Sequence, residues 1–269
     1  MDNKSRPIGV FDSGLGGLTV VKKLLEHLPN ENIIYFGDTA RVPYGDRSRE
    51  TIVRYADGDI RFLLGHGVKA VCIACNTADS MARTEMEKRF DVPIIGVVEP
   101  AARMAAGLSE NRKIGVIGTK ATVKSGAYAR VIRALAPEAE VTSVPCPLLC
   151  PLVEEGRFLP GDEVVESVLR DYLAPIKAAG ADTLILGCTH YPLLYDVIEK
   201  LLPGVRLISS GFASTETLVK TLDRLDLRNP SKKPGSISFY VSDAPERFAE
   251  NGGMFIGREI TGKVEKVTI

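Results

Sequence analysis

The chain has no surplus of either charge sign: 34 basic side chains face 34 acidic ones, giving a formal net charge of +0. A nucleic-acid or anionic-membrane binder normally carries a basic excess, so neither partner is expected. Long apolar runs are also missing. No stretch reaches the ~18 uncharged residues that a bilayer span requires. Cysteine is scarce and odd in number, five in 269 residues, which excludes a small disulfide scaffold. Met1-Asp2-Asn3-Lys4-Ser5-Arg6 leads straight into a strand-like run, without the apolar core of a leader peptide. A soluble, cytoplasmic protein with free thiols is the expectation. Nothing matches a dinucleotide or nucleotide loop either. Gly14, Gly16 and Gly17 fail the G-x-G-x-x-G spacing and no P-loop lysine follows them.

What remains is ordinary globular composition, 45% hydrophobic and 25% charged. A chain of this length buries roughly three quarters of its unfolded surface and needs no staples. Apolar β-rich runs alternate with amphipathic segments. Strands are expected at Ile8 to Phe11, Ile33 to Phe36, Lys69 to Ala74 and Pro93 to Val97. Helices are expected at Leu18 to Leu28, Arg49 to Leu64 and Ala78 to Phe90. Continuous rather than alternating apolar runs suit parallel strands covered on both faces. The class is α/β, doubly wound with right-handed crossovers.

The pattern then restarts. Arg6-Pro7-Ile8-Gly9-Val10-Phe11-Asp12-Ser13 aligns with Arg112-Lys113-Ile114-Gly115-Val116-Ile117-Gly118-Thr119, and Gly67 to Cys75 aligns with Gly180 to Cys188. The repeat implies two pseudo-symmetric units, doubly wound parallel-sheet domains with the site in the cleft between them. The first comprises residues 1–98 plus the tail 207–269, and the second residues 99–206. The tail is expected to contain a helix near Ser214 to Leu225 and a strand at Ile237 to Val241.

The repeat puts Cys75 and Cys188 at the C-terminal end of the third strand of each unit, the edge where open α/β sheets bind ligands. Each precedes small hydrogen-bonding residues, Asn76-Thr77 and Thr189-His190. Two matched thiols flanking one substrate suit a nearly mirror-symmetric reaction such as racemisation at carbon. One thiolate takes a proton from one face while the other thiol delivers one to the opposite face. A core role for the cysteines, a Cys72–Cys75 redox pair, and a zinc site of Cys75, Cys188 and His190 lacking a fourth ligand are the alternatives. Cys146 and Cys150, in a proline-rich loop, read as structural. Asp12-Ser13-Gly14 forms a turn before a helix, suited to a carboxylate, or Asp12 caps that helix. Tyr44 and Gly45 come after the second strand and offer a hydroxyl and an N–H. His190 is placed to tune Cys188, and Glu154 to orient His190 or meet an ammonium, unless it is a surface carboxylate.

Together these segments resemble glutamate racemases of the aspartate/glutamate racemase family. The resemblance is carried by Ile8 to Gly17, Tyr35-Phe36-Gly37-Asp38, Pro43-Tyr44-Gly45, Cys75-Asn76-Thr77-Ala78, Gly96-Val97-Val98-Glu99-Pro100, Gly115 to Thr119 and Leu186-Gly187-Cys188-Thr189-His190-Tyr191-Pro192. It covers about residues 7 to 225. It implies a cofactor-independent isomerase that interconverts L- and D-glutamate in the bacterial cytoplasm and supplies D-glutamate for peptidoglycan, with no metal. It implies Cys75 and Cys188 as acid/base thiols. Asp12, Ser13, Tyr44, Gly45, Asn76, Thr77, Thr189 and His190 would surround the substrate, and Asp12, Glu154 and His190 would assist proton transfer. A homodimer is the default partner expectation. Asp79 stands where the family often has serine, and Ser209-Ser210-Gly211 replaces a common Asp-Ser-Gly. Aspartate racemisation, or simple ligand binding by two lobes, stays open on residue chemistry alone.

Overall fold

The continuous apolar runs become fully buried parallel strands in the computed structural model, which describes residues 3–269. In the first unit these are β1 (Ile8–Asp12), β2 (Ile33–Gly37), β3 (Ala70–Ile73) and the short β4 (Ile94–Ile95). The second unit contains β5 (Lys113–Gly118), β6 (Glu140–Pro145), β7 (Thr183–Gly187) and β8 (Arg206–Ser209). The tail adds β9 (Ile237–Val241) and β10 (Val264–Lys266). One sheet runs β10-β9-β2-β1-β3-β4 and the other β6-β5-β7-β8. The order β2-β1-β3-β4 is thus repeated as β6-β5-β7-β8, with every pairing parallel. The repeat seen in sequence is a repeat of topology.

The tail returns to the first sheet through β9, which pairs with β2 in the register Ile33↔Ile237. The second sheet reaches Ser209 through β8, so residues 207 to 209 belong with the second unit and not with the first. β6 is an edge strand with half-exposed residues, which is why it shows no continuous apolar run.

Two helices begin earlier than their apolar spacing suggests. The helix after β3 spans Asn76–Arg89 and not 78–90, so Cys75 is its N-cap. Asn and Thr favour caps and turns in isolation, yet here they form the first helical turn. The tail helix spans Ser210–Arg224, started by Ser209, whose side chain accepts from the Phe212 N–H. This helix packs on Leu18–His27 of the first unit and on the alanine-rich Val98–Leu108 of the second, and so ties the lobes together. Asp79 serves the same junction. Its Oδ2 accepts from the Val97 and Val98 N–H groups at 2.8 and 2.7 Å, capping the helix Val98–Leu108 across space. Burial pushes its carboxyl up to about 6 against the pull of Arg83 and those N–H groups. Among the described residues no helix is long and apolar enough to cross a membrane.

Candidate active site

The C-terminal edges of both sheets open onto one cleft of about 370 Å³. The first unit supplies Ser13 after β1 and Cys75 and Thr77 after β3. The second supplies Thr119 after β5 and Cys188 and His190 after β7. The lobes are bonded across this seam. Thr77 Oγ1 lies 2.9 Å from Thr119 Oγ1, Thr19 Oγ1 donates to the Thr189 carbonyl at 2.9 Å, and Tyr128 donates to Asn76 Oδ1 at 2.5 Å. Closeness at the seam depends on Gly16. A Cβ there would stand 2.2 Å from Thr189 Oγ1 and 2.5 Å from His190 Nδ1.

Cys75 is 6% exposed and its thiol donates to Ser13 Oγ at 3.7 Å. Burial and then the neighbouring Asp12 push this thiol up to about 12, against the Ala78 N–H of the helix start and the Ser13 contact. Cys75 therefore rests as a thiol. Asp12 is fully buried behind the cleft wall. Its Oδ2 accepts from the Gly14 N–H at 3.0 Å, so it shapes the turn after β1. Burial raises its carboxyl, opposed by the charge of His190 and the N–H groups of Gly14 and Gly17.

Cys188, equally buried, sits among different neighbours. Cys150 Sγ is 3.4 Å away and His190 Nδ1 3.8 Å, while His190 Nε2 lies 2.9 Å from Glu154 Oε1. The Cys150 hydrogen bond, then His190, hold Cys188 well below the ordinary thiol range despite burial. Burial would lower His190, but the Cys188 and Glu154 contacts outweigh it and raise the imidazole to about 10. The resting second half is thus a thiolate–imidazolium–carboxylate chain. Glu154 is held below its usual range first by its hydrogen bond to His190.

The remaining expected residues divide. Gly45, Asn76, Thr77 and Thr189 line the cleft. The Asn76 amide also donates to Ser210 Oγ at 3.2 Å, at the start of the tail helix. Tyr44 lines the cleft, but its hydroxyl is taken up by the buried carboxylates Asp38 (2.5 Å) and Asp59 (3.0 Å), which Arg41 also bonds. An offered hydroxyl was expected; the fold uses it to anchor the loop. Cys72 turns away to Ser214 Oγ at 3.6 Å, so it does not pair with Cys75, and all five cysteines are free. Sequence reasoning missed Cys150, read as structural but part of the cleft wall. The only metal-type grouping among the described residues combines Cys150, not Cys75, with Cys188 and His190, their ligand atoms within 4.8 Å of one another.

The family profile for Asp/Glu/Hydantoin racemases matches residues 8–218. The chain belongs to this family. It is an amino-acid racemase, an isomerase. A glutamate racemase of Syntrophus aciditrophicus is 47% identical over 98% of this chain and 97% of its own. The solved glutamate racemase of Francisella tularensis, in complex with D-glutamate, superposes with a TM-score of 0.91 at 41% identity, covering 98% of both chains. That of Thermus thermophilus, in complex with β-chloro-D-alanine, superposes at 0.90 and 43%, covering 99% and 98%. These matches set the racemase apart from a ligand-binding module of two lobes.

Proposed function

We propose that this racemase interconverts L- and D-glutamate by direct proton transfer between Cys75 and Cys188, and that its D-glutamate serves peptidoglycan synthesis. The observation that carries the reading is the pair of thiols on repeat-equivalent strand ends, lining one cleft with opposite resting protonation. The glutamate racemases that match nearly the whole chain support the substrate.

The Cα proton of an amino acid is very weakly acidic, so carbanion character must be stabilised in a site shielded from water. Helix starts at Asn76–Arg89 and Lys120–Ser125, the latter capped by Thr119, present N–H groups suited to the substrate carboxylates. L-glutamate meets the resting form directly: the Cys188 thiolate takes the Cα proton while the Cys75 thiol delivers its own to the opposite face. D-glutamate needs the reverse assignment, with Cys75 as base. The His190 imidazolium holds the thiolate, and Glu154 holds the imidazolium. Burial first, and then Asp12 beneath the β1 turn, keeps the Cys75 thiol protonated.

Chiral chromatography of L-glutamate incubated with the purified protein and no added cofactor tests the reading. In deuterium oxide the D-glutamate formed should carry deuterium on Cα. A D-product that retains the original hydrogen would overturn direct exchange through the thiols.

A further inference from the structure

Cys150 has no counterpart in a symmetric two-thiol scheme, yet it stands 3.4 Å from Cys188. A tetrahedral zinc ion with Zn–S of about 2.3 Å and Zn–N of about 2.0 Å spaces its ligands by roughly 3.5–3.8 Å. Two zinc-bound sulfurs would stand about 3.8 Å apart and a sulfur and a nitrogen about 3.5 Å apart. The Cys150–Cys188 and Cys188–His190 separations of 3.4 and 3.8 Å lie within about 0.4 Å of these. All three ligand atoms lie within 4.8 Å of one another, so small side-chain shifts close the site. A second observation points the same way. His190 Nε2 is engaged with Glu154 Oε1 at 2.9 Å, which leaves Nδ1 facing Cys188 Sγ at 3.8 Å and Thr189 Oγ1 at 3.5 Å. A histidine oriented by a carboxylate on its far nitrogen is the usual arrangement behind a metal ligand. All three ligand residues also line the cleft, so a fourth coordination position opens towards it.

We propose that Cys150 Sγ, Cys188 Sγ and His190 Nδ1 form a binding site for a thiophilic divalent cation, zinc foremost, and that its occupancy switches racemisation off. Soft thiolate and imidazole donors select this class of ion over magnesium or calcium. Binding releases the Cys150 thiol proton and the His190 Nδ1 proton to solvent and leaves the Nε2 proton shared with Glu154. The metal then occupies the lone pair of Cys188 that would receive the Cα proton. The off-switch rests on the reading of Cys188 as an acid/base thiol, whereas the site itself does not.

Cobalt(II) titrated into the full-length protein reads the site independently of activity, through thiolate-to-cobalt charge-transfer absorption. One equivalent should produce the band, Cys75→Ser should keep it, and Cys150→Val should lose it. Glu154→Gln should weaken binding about ten- to a hundredfold. In parallel, each protein's racemisation rate with zinc is divided by its own zinc-free rate. The parent should be inhibited and recover on adding a chelator without reductant, and Cys150→Val should lose this sensitivity. A parent without the band, a Cys150→Val protein that keeps it, or recovery that requires a thiol reductant would each overturn the metal site, the last in favour of a Cys150–Cys188 disulfide. A normal band with undiminished racemisation in zinc would leave the site standing and remove Cys188 from proton transfer.

Discussion

Cys75 and Cys188 occupy the same place in the same strand order, yet the chain beyond each takes a different form. β3 runs into a 14-residue α-helix that Cys75 caps. β7 runs into the short 3-10 turn Tyr191–Leu194, with Pro192 in its first positions, leaving His190 outside a helix and beside the sulfur. One thiol has a serine and a buried carboxylate for company; the other has a histidine, a second thiol and a glutamate beyond. The repeat supplies matched positions, and local chemistry makes them unlike. At rest the cleft is thus unlike on its two sides, a thiol on one and a thiolate on the other.

The comparison breaks most sharply if one thiol is dispensable. Cys75→Ala and Cys188→Ala should each lower racemisation by at least the ~10²–10⁴-fold attributed to a positioned proton-transfer group, measured by chiral chromatography. Alkylation followed by peptide mass spectrometry should separate the two sulfurs. At neutral pH Cys188 is labelled first and Cys75 resists, because only the former is held as thiolate. Acidification should protect Cys188, and Cys75 should react only as the pH climbs towards about 12. Equal labelling at neutral pH would erase the asymmetry.

Glu154→Gln acts one bond further out, so its rate loss should stay below the ~10²-fold of a direct proton-transfer group. Its stability effect has a defined pH window. His190 is raised from 6.5 to about 10, so its gain is complete below 6.5 and lost as pH rises through about 10. Glu154 is lowered from 4.5, so its gain is present above 4.5 and lost as pH falls through the lowered value. The melting-temperature gap between parent and variant should be widest between those limits and close towards alkaline pH. The smallest contrast concerns the matched glycines of β1 and β5. A Cβ on Gly9 meets Leu63 and Val68 at 3.1 Å, whereas on Gly115 it meets Ile176 at 2.8 Å and Leu184 at 3.0 Å. Gly115→Ala should cost about 1–3 kcal/mol and Gly9→Ala less, by denaturant unfolding.

The buried parallel strands were legible because their apolar runs have a local cause. The thiol pair was legible because a repeat makes two distant residues equivalent before any fold is known. Cys150 was not, since its approach to Cys188 across 38 residues is a tertiary event, and its neighbours Pro147, Leu148 and Leu149 suggest packing alone. Tyr44 was half legible: its loop lies at the cleft, but Asp38 and Asp59 claim its hydroxyl only once the fold brings them together. The early start of the helix at Asn76 was hidden by residues that look like loop formers.

Gly16 gives the cleft a gauge. The gap between the β1 turn and the Thr189-His190 segment is set by the thickness of a hydrogen atom, since a methyl group would overlap both residues. Any side chain placed there acts as a wedge that parts the lobes beside the cleft that Cys75 and Cys188 line. The spacing of the two cleft walls is therefore calibrated by a residue whose whole contribution is the side chain it lacks.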